Sequence, residues 1–179
     1  MDRNITIGLD ISTSIVGISF FENNSYSFMS HVDLTKTKCI FDKAELFEKR
    51  FIDLCSLNLH KIKNIYIEDT LQSFARGLSS AKTLMQLSRF NGIVSNIVYR
   101  LTRIKPEYIN VNTARKHLNI KIDKSSVKDK KEQVLDWVNK DLLGYDWPKR
   151  VISRGKNKGR VKYENYCYDM SDALSLIHI

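Results

Sequence analysis

Apolar residues in the first part of the chain follow the patterns of β-strands. Residues 5–11 (ITIGLDI) and 16–21 (VGISFF) are β-type runs separated by a short polar turn. A third run, 26–32 (YSFMSHV), comes after Asn-Asn-Ser, a composition that favours a hairpin turn. The pattern therefore predicts three consecutive strands joined by tight turns.

The middle of the chain alternates between helical and strand patterns. Residues 44–57 carry apolar side chains at helical spacing, and a short strand at 65–67 follows, ending at Glu68. The longest helical pattern covers 79–103 and has one apolar face. Beside that face runs a seam of mostly small residues: Met85, Ser88, Gly92 and Ser95. Such a seam permits close approach of another backbone, either that of a second copy of the chain or that of its own sheet.

The last part predicts further short elements. They are a strand at 108–111, a short helix at 113–118, a helix from Ser125 or Ser126 to about 143, and a closing helix from about Asp169. Three antiparallel strands followed by α/β crossovers give an α/β fold, a mixed sheet with helices on both faces. At 179 residues, we expect a single domain over 1–179.

Charge is concentrated in one stretch. The chain carries 29 Lys and Arg against 20 Asp and Glu, a net charge of +9. Residues 115–162 hold 15 basic and 6 acidic residues, so this stretch contains the entire excess. Within it, 149–162 (KRVISRGKNKGRVK) has seven basic residues and no acids, and is expected to form a basic hairpin or a mobile loop. Such a field suits a polyanion-binding face, although a solvated surface explains it equally well.

Other features of the sequence favour a cytoplasmic protein. Cys39, Cys55 and Cys167 are odd in number and far apart, so neither a disulfide framework nor a zinc site is expected. No apolar run approaches the ~20 residues of a membrane helix, and the first residues lack the pattern of a signal peptide.

Four acidic residues carry the candidate chemistry. Asp10 and Glu68 end two apolar strands, and Asp169 and Asp172 are one helical turn apart in the closing helix. Strand ends are where open α/β sheets bind ligands, so the four carboxylates are expected to converge there. Their repulsion would be relieved by two Mg²⁺ or Mn²⁺ ions, an arrangement used to hydrolyse phosphodiesters. Each residue also has a simpler explanation: an Asx turn at Asp10, a solvated loop at Glu68, and helix-dipole stabilisation for the aspartate pair.

Five segments resemble one known family, and they occur in its order: IGLDIST, IYIEDTLQSFARGLSSAKTLMQLSRFNGIVSNIVY, PEYINVNTARKHL, KKEQVLDWV and YDMSDALSLIHI. The family is the RuvC-type Holliday-junction resolvases of the RNase H-like nuclease superfamily. The resemblance covers nearly the whole chain and implies an RNase H-like fold. It further implies a homodimer, formed through the helix at about 79–103, that resolves four-way DNA junctions by paired symmetric nicks leaving 5′-phosphate and 3′-hydroxyl ends.

The resemblance also implies roles for particular residues. Asp10, Glu68, Asp169 and Asp172 match the family's metal-binding carboxylates, with two Mg²⁺ or Mn²⁺ ions per site. Lys131 matches a lysine near the scissile phosphate, although Lys131 could also be an ordinary exposed lysine and Lys130 is an adjacent alternative. The basic residues expected to contact DNA are Arg76, Lys82, Arg89, Lys116, Lys130, Arg150, Arg154, Lys156, Lys158 and Arg160.

Several positions depart from the family pattern. Ile11-Ser12 stands where the family has Pro-Gly or a similar pair, and Leu71 stands where it often has an aromatic residue, with Phe74 nearby. Lys116 is out of register with a second basic position, and the segment 149–162 is longer than in bacterial members. These departures predict a phage or otherwise divergent member and leave open which residue unstacks junction bases.

Three alternative functions are compatible with parts of the pattern. An RNase H-like nuclease could act on other branched DNA or on RNA. A junction-binding module could have lost its nuclease activity, although all four acidic positions are intact. IGLDISTS also resembles the phosphate loop of sugar-kinase and actin-like ATPases, but those need a glycine where Ser12 stands and usually have two domains.

Overall fold

A computed structural model describes residues 3–69, 81–123, 125–126, 128–141, 145–155 and 158–177. Leu71, Phe74, Arg76 and Lys156 lie outside the described residues, so the predictions made for them stay predictions.

The described chain contains seven strands, five α-helices and one 3₁₀ turn at Leu59–Lys61. The strands are β1 (Ile5–Ile11), β2 (Ile15–Glu22), β3 (Ser25–Asp33), β4 (Ile62–Glu68), β5 (Glu107–Ile109), β6 (Lys149–Val151) and β7 (Val161–Tyr163). The helices are α1 (Ile40–Cys55), α2 (Ala81–Thr102), α3 (Val111–His117), α4 (Lys130–Asp141) and α5 (Asn165–Ser175). None of the described helices is long and apolar enough to cross a membrane.

The main sheet has five strands in the order β3-β2-β1-β4-β5. β1, β2 and β3 pair in antiparallel fashion, whereas β4 and β5 run parallel to β1. The turn between β2 and β3 places Asn23 and Asn24 at positive φ, 50° and 65°, as a tight hairpin requires. The predicted mixed sheet, antiparallel first and then parallel, is confirmed.

Alternation along β1 sends side chains to two separate layers. Ile5, Ile7, Leu9 and Ile11 pack in a core with residues of α1 and α2, among them Phe47, Phe51, Phe90 and Val94. The opposite face of the sheet is covered by α5, which packs in a second cluster with Leu135 and Val138 of α4. Helices therefore lie on both faces, as predicted, and α5 is the element closest to β1 and β2 on its side.

Two helices begin at residues other than those predicted, and at α4 local capping explains the difference. α4 begins at Lys130 rather than near Ser125, because Asp129 and Glu132 form a reciprocal capping box: Glu132 N–H donates to Asp129 and Asp129 N–H donates to Glu132. Ser125 instead donates to the carboxylate of Asp123 in a turn. α1 likewise begins four residues earlier than predicted, at Ile40.

α5 begins at Asn165, so Asp169 and Asp172 lie in its second and third turns instead of at its start. No acidic residue occupies the first turn of α5. Because the helix dipole acts within about one turn of the end, it does not explain the pair. The segment 149–162 forms a hairpin in its described part, with β6 and β7 pairing outside the main sheet.

Candidate active site

β1 and β4 bring Asp10 and Glu68 to one edge of the sheet. The two strands are parallel, and their register pairs Leu9 with Ile67, so Asp10 and Glu68 follow at neighbouring strand ends. The two carboxyl groups lie close enough that each affects the pKa of the other.

Two glycines and a serine let α5 lie directly on these strands. A Cβ atom at Gly17 would stand 2.2 Å from the Asp169 carbonyl oxygen, and one at Gly8 would stand 2.3 Å from the Ala173 carbonyl oxygen. Ser19 Oγ, between them on the same face, donates a hydrogen bond to the Ala173 carbonyl at 2.9 Å. The absence of side chains at Gly8 and Gly17 therefore fixes α5, and with it Asp169, against the sheet.

Each aspartate of α5 is paired with a different cation. Arg115 Nη2 donates to Asp172 Oδ1 at 3.1 Å, and both side chains are buried, with 10% and 6% of their surface exposed. Lys131 Nζ donates to Asp169 Oδ1 at 3.1 Å, and the lysine side chain is 55% exposed. The Arg115–Asp172 pair is therefore closed off from solvent, whereas the Lys131 ammonium of the other pair is accessible to solvent.

Burial and mutual repulsion raise the pKa of the acids. We call Asp10, Glu68, Asp169 and Asp172 the carboxylate cluster. Loss of water raises the pKa of Asp10 well above its ordinary value, and the charges of Glu68, Asp172 and Asp169 raise it further. Burial and the Asp172 charge likewise raise the pKa of Glu68, against the opposing effects of the neighbouring Asp10 carboxyl group and of Arg115.

The pKa values of the two aspartates of α5 are subject to opposing effects. Burial raises the pKa of Asp172, and Arg115 and Lys131 oppose that rise. Burial also raises the pKa of Asp169, against the neighbouring Lys131 ammonium. These mutual effects show that the four acids lie in one electrostatic neighbourhood, where an added positive charge would be stabilising.

The donor chemistry of the carboxylate cluster suits a hard divalent cation. All its donors are oxygen atoms, which favour Mg²⁺ or Mn²⁺ over zinc. Among the residues that the structure describes, however, no group of three or more Asp, Glu, His or Cys is arranged to hold a metal ion. Charges interact across several ångströms, whereas Mg²⁺ needs its ligands at ~2.1 Å. Asp169 and Asp172 are directed to Lys131 and Arg115, so they would have to turn to join Asp10 and Glu68 around one ion.

Lys131 and Lys130, the two alternatives for the lysine near the reacting phosphate, have different surroundings. Burial works to lower the pKa of Lys131, but Asp169, Asp172 and Asp10 outweigh it and raise that pKa. The pKa of Lys130 is lowered by burial and by the neighbouring Arg115 charge. The carboxylate cluster therefore stabilises the ammonium form of Lys131 more strongly than that of Lys130.

Sequence reasoning missed Arg115 as a site residue. It lies in α3, is 8% exposed, and its Nε is buried without a hydrogen-bond partner among the described atoms. Its partner Asp172 is 57 residues away in the chain, so spacing gives no sign of the pair. The one available signal is its position beside Ala114 on the inward face of a short helix, where a charged residue needs a partner.

The basic residues predicted to contact DNA lie in three places. Lys82 and Arg89 are exposed on α2. Lys116 and Lys130 line a cavity of about 820 Å³ between α3 and α4, with Arg115 also in its wall. Arg150, Arg154, Lys158 and Arg160 belong to the hairpin, where Arg150 is already bonded to Asn165.

Two solved structures share this architecture. RuvC of Thermus thermophilus in complex with a Holliday junction substrate matches with a TM-score of 0.62 and 12% identity, covering 97% of this chain and 90% of that one. A second Thermus thermophilus RuvC structure matches with a TM-score of 0.57 and 14% identity over the same shares. The chain has a RuvC-like fold. At the level of sequence, no family model and no curated protein matches it.

The RuvC-like fold confirms the fold implied by the sequence resemblance. The identities of 12% and 14% are low, so the likeness concerns the arrangement of strands and helices. The roles of Asp10, Glu68, Asp169, Asp172 and Lys131 remain predictions, supported by where the fold brings these residues.

Proposed function

We propose that this chain is a Mg²⁺- or Mn²⁺-dependent DNA endonuclease that resolves four-way junctions by paired symmetric nicks. The observation that carries the proposal is the carboxylate cluster at the edge of a RuvC-like sheet, where two buried and two partly buried acids raise one another's pKa. One of the structural neighbours is a RuvC bound to a Holliday junction substrate, which supports branched DNA as the ligand.

The cluster would hold the metal through Asp10, Glu68, Asp169 and Asp172. When bound, divalent ions would supply positive charge for the attacking water and for the leaving oxygen. Hydrolysis then breaks the bond between phosphorus and the 3′ oxygen, leaving a 3′-hydroxyl and a 5′-phosphate. Divalent cations bound there would offset the mutual repulsion of the four acids.

Lys131 has a role of its own in the proposed reaction. Its ammonium is held 3.1 Å from Asp169, yet more than half of the side chain is exposed. A phosphodiester entering the cluster can therefore meet a cation that is positioned but still accessible. Such a charge stabilises the negative charge that develops on the phosphoryl oxygens in the transition state.

Arg115 acts on the aspartate beside it. Its guanidinium opposes the effect of burial on the pKa of Asp172 and so favours the ionised form of that carboxyl group. Because the pair is buried, the arginine also keeps the Asp172 carboxylate beside the cluster, from where it would turn toward a bound ion. We assign Arg115 as a positioning residue for Asp172.

A second copy of the chain completes the proposal, since a junction of two-fold symmetry calls for two cutting sites. Met85, Ser88 and Gly92 are exposed along α2, and a Cβ atom at Gly92 would meet nothing within 4 Å. This part of the seam is therefore not used for packing on the chain's own sheet, which supports dimerisation through α2.

Three free cysteines support action in the reducing cytoplasm, that of the host if a phage encodes the chain.

The test uses the purified chain and a synthetic four-way junction labelled on each strand. With Mg²⁺ we expect nicks at matching positions on two opposing strands, with ends that a ligase can reseal. EDTA should abolish them, and a linear duplex of the same sequence should remain intact. Equal cleavage of a flap, a fork or an RNA duplex would replace junction resolution with a broader nuclease activity. Tight junction binding without cleavage in Mg²⁺ or Mn²⁺ would overturn the proposal.

A further inference from the structure

β6 and β7, together with the described residues between them, form a two-stranded ribbon outside the main sheet. The register pairs Lys149 with Tyr163 and Val151 with Val161. Pairing continues past the strands, because Ile152 N–H donates to the Arg160 carbonyl at 2.9 Å. Gly155 and Gly159 have φ of 81° and 84°, values that allow the chain to reverse. The ribbon therefore keeps its two-stranded form as far as Ile152 and Gly159.

Cations at the base of the ribbon are bound to the chain's own helices. Lys162 Nζ lies 3.0 Å from Glu132 Oε1 and 3.7 Å from Asp129 Oδ2, the two acids that cap α4. Arg150 Nη2 donates to Asn165 Oδ1, at the start of α5, at 2.8 Å. The base is thus attached to α4, which carries Lys131, and to α5, which carries Asp169 and Asp172.

The outer ribbon, residues 151–155 and 158–161, has side chains that are mostly exposed and not bound to the rest of the described chain by ion pairs. Val151 and Val161 face each other across the strands and are 64% and 62% exposed. Arg154, Lys158 and Arg160 are exposed, and none has a carboxylate partner among the described residues. An exposed apolar pair surrounded by unpaired cations fits a polyanion that also offers an apolar surface.

We infer that the outer ribbon binds a duplex arm of the DNA substrate by entering its major groove. A two-stranded β-ribbon fits this groove, where cations reach the phosphates on either side and apolar side chains meet base edges. Binding of single-stranded DNA usually relies on aromatic stacking, and residues 151–161 contain no aromatic residue. The inference rests on the proposed function, because duplex arms belong to the branched substrate.

The attachment of the ribbon base to α4 and α5 would determine where the bound DNA arm lies. Because Lys162 and Arg150 fix the ribbon to α4 and α5, an arm held by the outer ribbon has a defined position relative to the carboxylate cluster. Arg150, predicted to contact DNA, is then an anchor of the ribbon. The DNA contacts fall to Arg154, Lys158 and Arg160.

The test compares two triple variants with the same loss of charge. One is Arg154→Ala, Lys158→Ala and Arg160→Ala; the control is Lys49→Ala, Lys63→Ala and Lys105→Ala, all exposed residues outside the ribbon. Lys63 and Lys105 lie near the starts of β4 and β5, at the end of the sheet away from Asp10. Binding to a linear duplex, to a junction and to single-stranded DNA is measured by fluorescence anisotropy from 50 to 300 mM salt.

Each lost phosphate contact should reduce the slope of log K against log salt by about 0.9. We expect the ribbon variant to lose about 2 to 3 in slope and to bind duplex and junction about 10- to 100-fold more weakly near 100 mM salt. The single variants Arg154→Gln and Lys158→Gln should each lose about 0.9, which keeps the test valid if the triple variant folds poorly. At saturating protein, nicking should be far less affected than binding.

Slopes for the ribbon variant equal to those of the control would overturn the inference. So would a loss confined to single-stranded DNA, because the outer ribbon would then not bind a duplex. The proposed function fails separately, by the absence of nicking in the parent protein. A parent that does not cut, combined with a ribbon variant that loses duplex affinity, would leave the ribbon as a DNA-binding element of a non-nuclease.

Discussion

The carboxylate cluster and the outer ribbon both carry several like charges, but their surroundings differ. Asp169 and Asp172 are buried and bonded to Lys131 and Arg115, while Asp10 and Glu68 lie close together at neighbouring strand ends. The cations of the outer ribbon are exposed, without carboxylate partners among the described residues. Buried like charges raise the free energy of the fold, whereas exposed ones affect it little. This difference supports the cluster as the proposed cation site and the outer ribbon as the proposed salt-sensitive DNA contact.

The largest effect should follow from neutralising the cluster. Asp10→Asn keeps the shape of the side chain but removes a ligand oxygen's charge, so we expect nicking of a four-way junction to fall about a thousandfold or more. Junction binding should be retained. Asp53→Asn, at an exposed position on α1, is the matched control and should cut like the parent. Cutting by Asp10→Asn at the parent's rate would remove Asp10 from the site.

A smaller loss should come from the lysine of the cluster. Lys131→Met preserves the aliphatic part of the side chain and removes the ammonium, and we expect the nicking rate to fall about 100-fold with little change in junction affinity. Lys140→Met, on an exposed position of the same helix, controls for the loss of one charge. Equal rates for the two variants would identify Lys131 as an ordinary surface lysine.

Removal of Arg115 should act on stability through Asp172. Arg115→Met leaves a buried carboxyl group without its cation, which costs about 3 kcal/mol of unfolding free energy. In the double variant Arg115→Met and Asp172→Asn, most of this loss should be recovered, because no unpaired charge remains. Urea denaturation of the two single variants and the double variant measures the coupling. Additive losses would show that the pair does not explain the burial of Arg115.

Much of the fold followed from the sequence because its determinants are local. Alternating apolar residues predicted β1 to β3, and the apolar face of 79–103 predicted α2. The start of α5 did not follow, since the apolar run after Asp172 suggested a later helix. The residues that decide the position of α5, Gly8 and Gly17, are far away in sequence and act only by having no side chain there.

In the candidate site, the acids could be predicted from the sequence, whereas their pairing with particular cations could not. Asp10 and Glu68 could be predicted because parallel strands end at one edge of a sheet. The opposing cations could not be assigned to particular aspartates, since the pairs Arg115–Asp172 and Lys131–Asp169 span 57 and 38 residues. Motif positions identified the acids, whereas their pairing depends on tertiary packing.

The smallest effect concerns stability and pH. An acid whose pKa is raised in the folded state binds more protons in the folded than in the unfolded protein. The free energy of unfolding therefore falls as the pH rises above the ordinary pKa of that acid, which is 3.8 for Asp10. Asp10→Asn removes this loss, and we expect it to be more stable than the parent by about 1 kcal/mol at pH 7. The difference should shrink toward pH 4. Parallel pH profiles in urea denaturation would mean that Asp10 is not destabilised in the fold.

Titration with Mn²⁺, followed by the electron paramagnetic resonance signal of the free ion, tests the central claim most directly. If the strand-end acids and the acids of α5 form one cation site, the parent protein binds Mn²⁺, and Asp10→Asn and Asp172→Asn each weaken that binding by at least tenfold, although the two residues belong to opposite ends of the chain. Binding that survives unchanged in either variant, or a parent that binds no Mn²⁺ with or without junction DNA, would contradict the account.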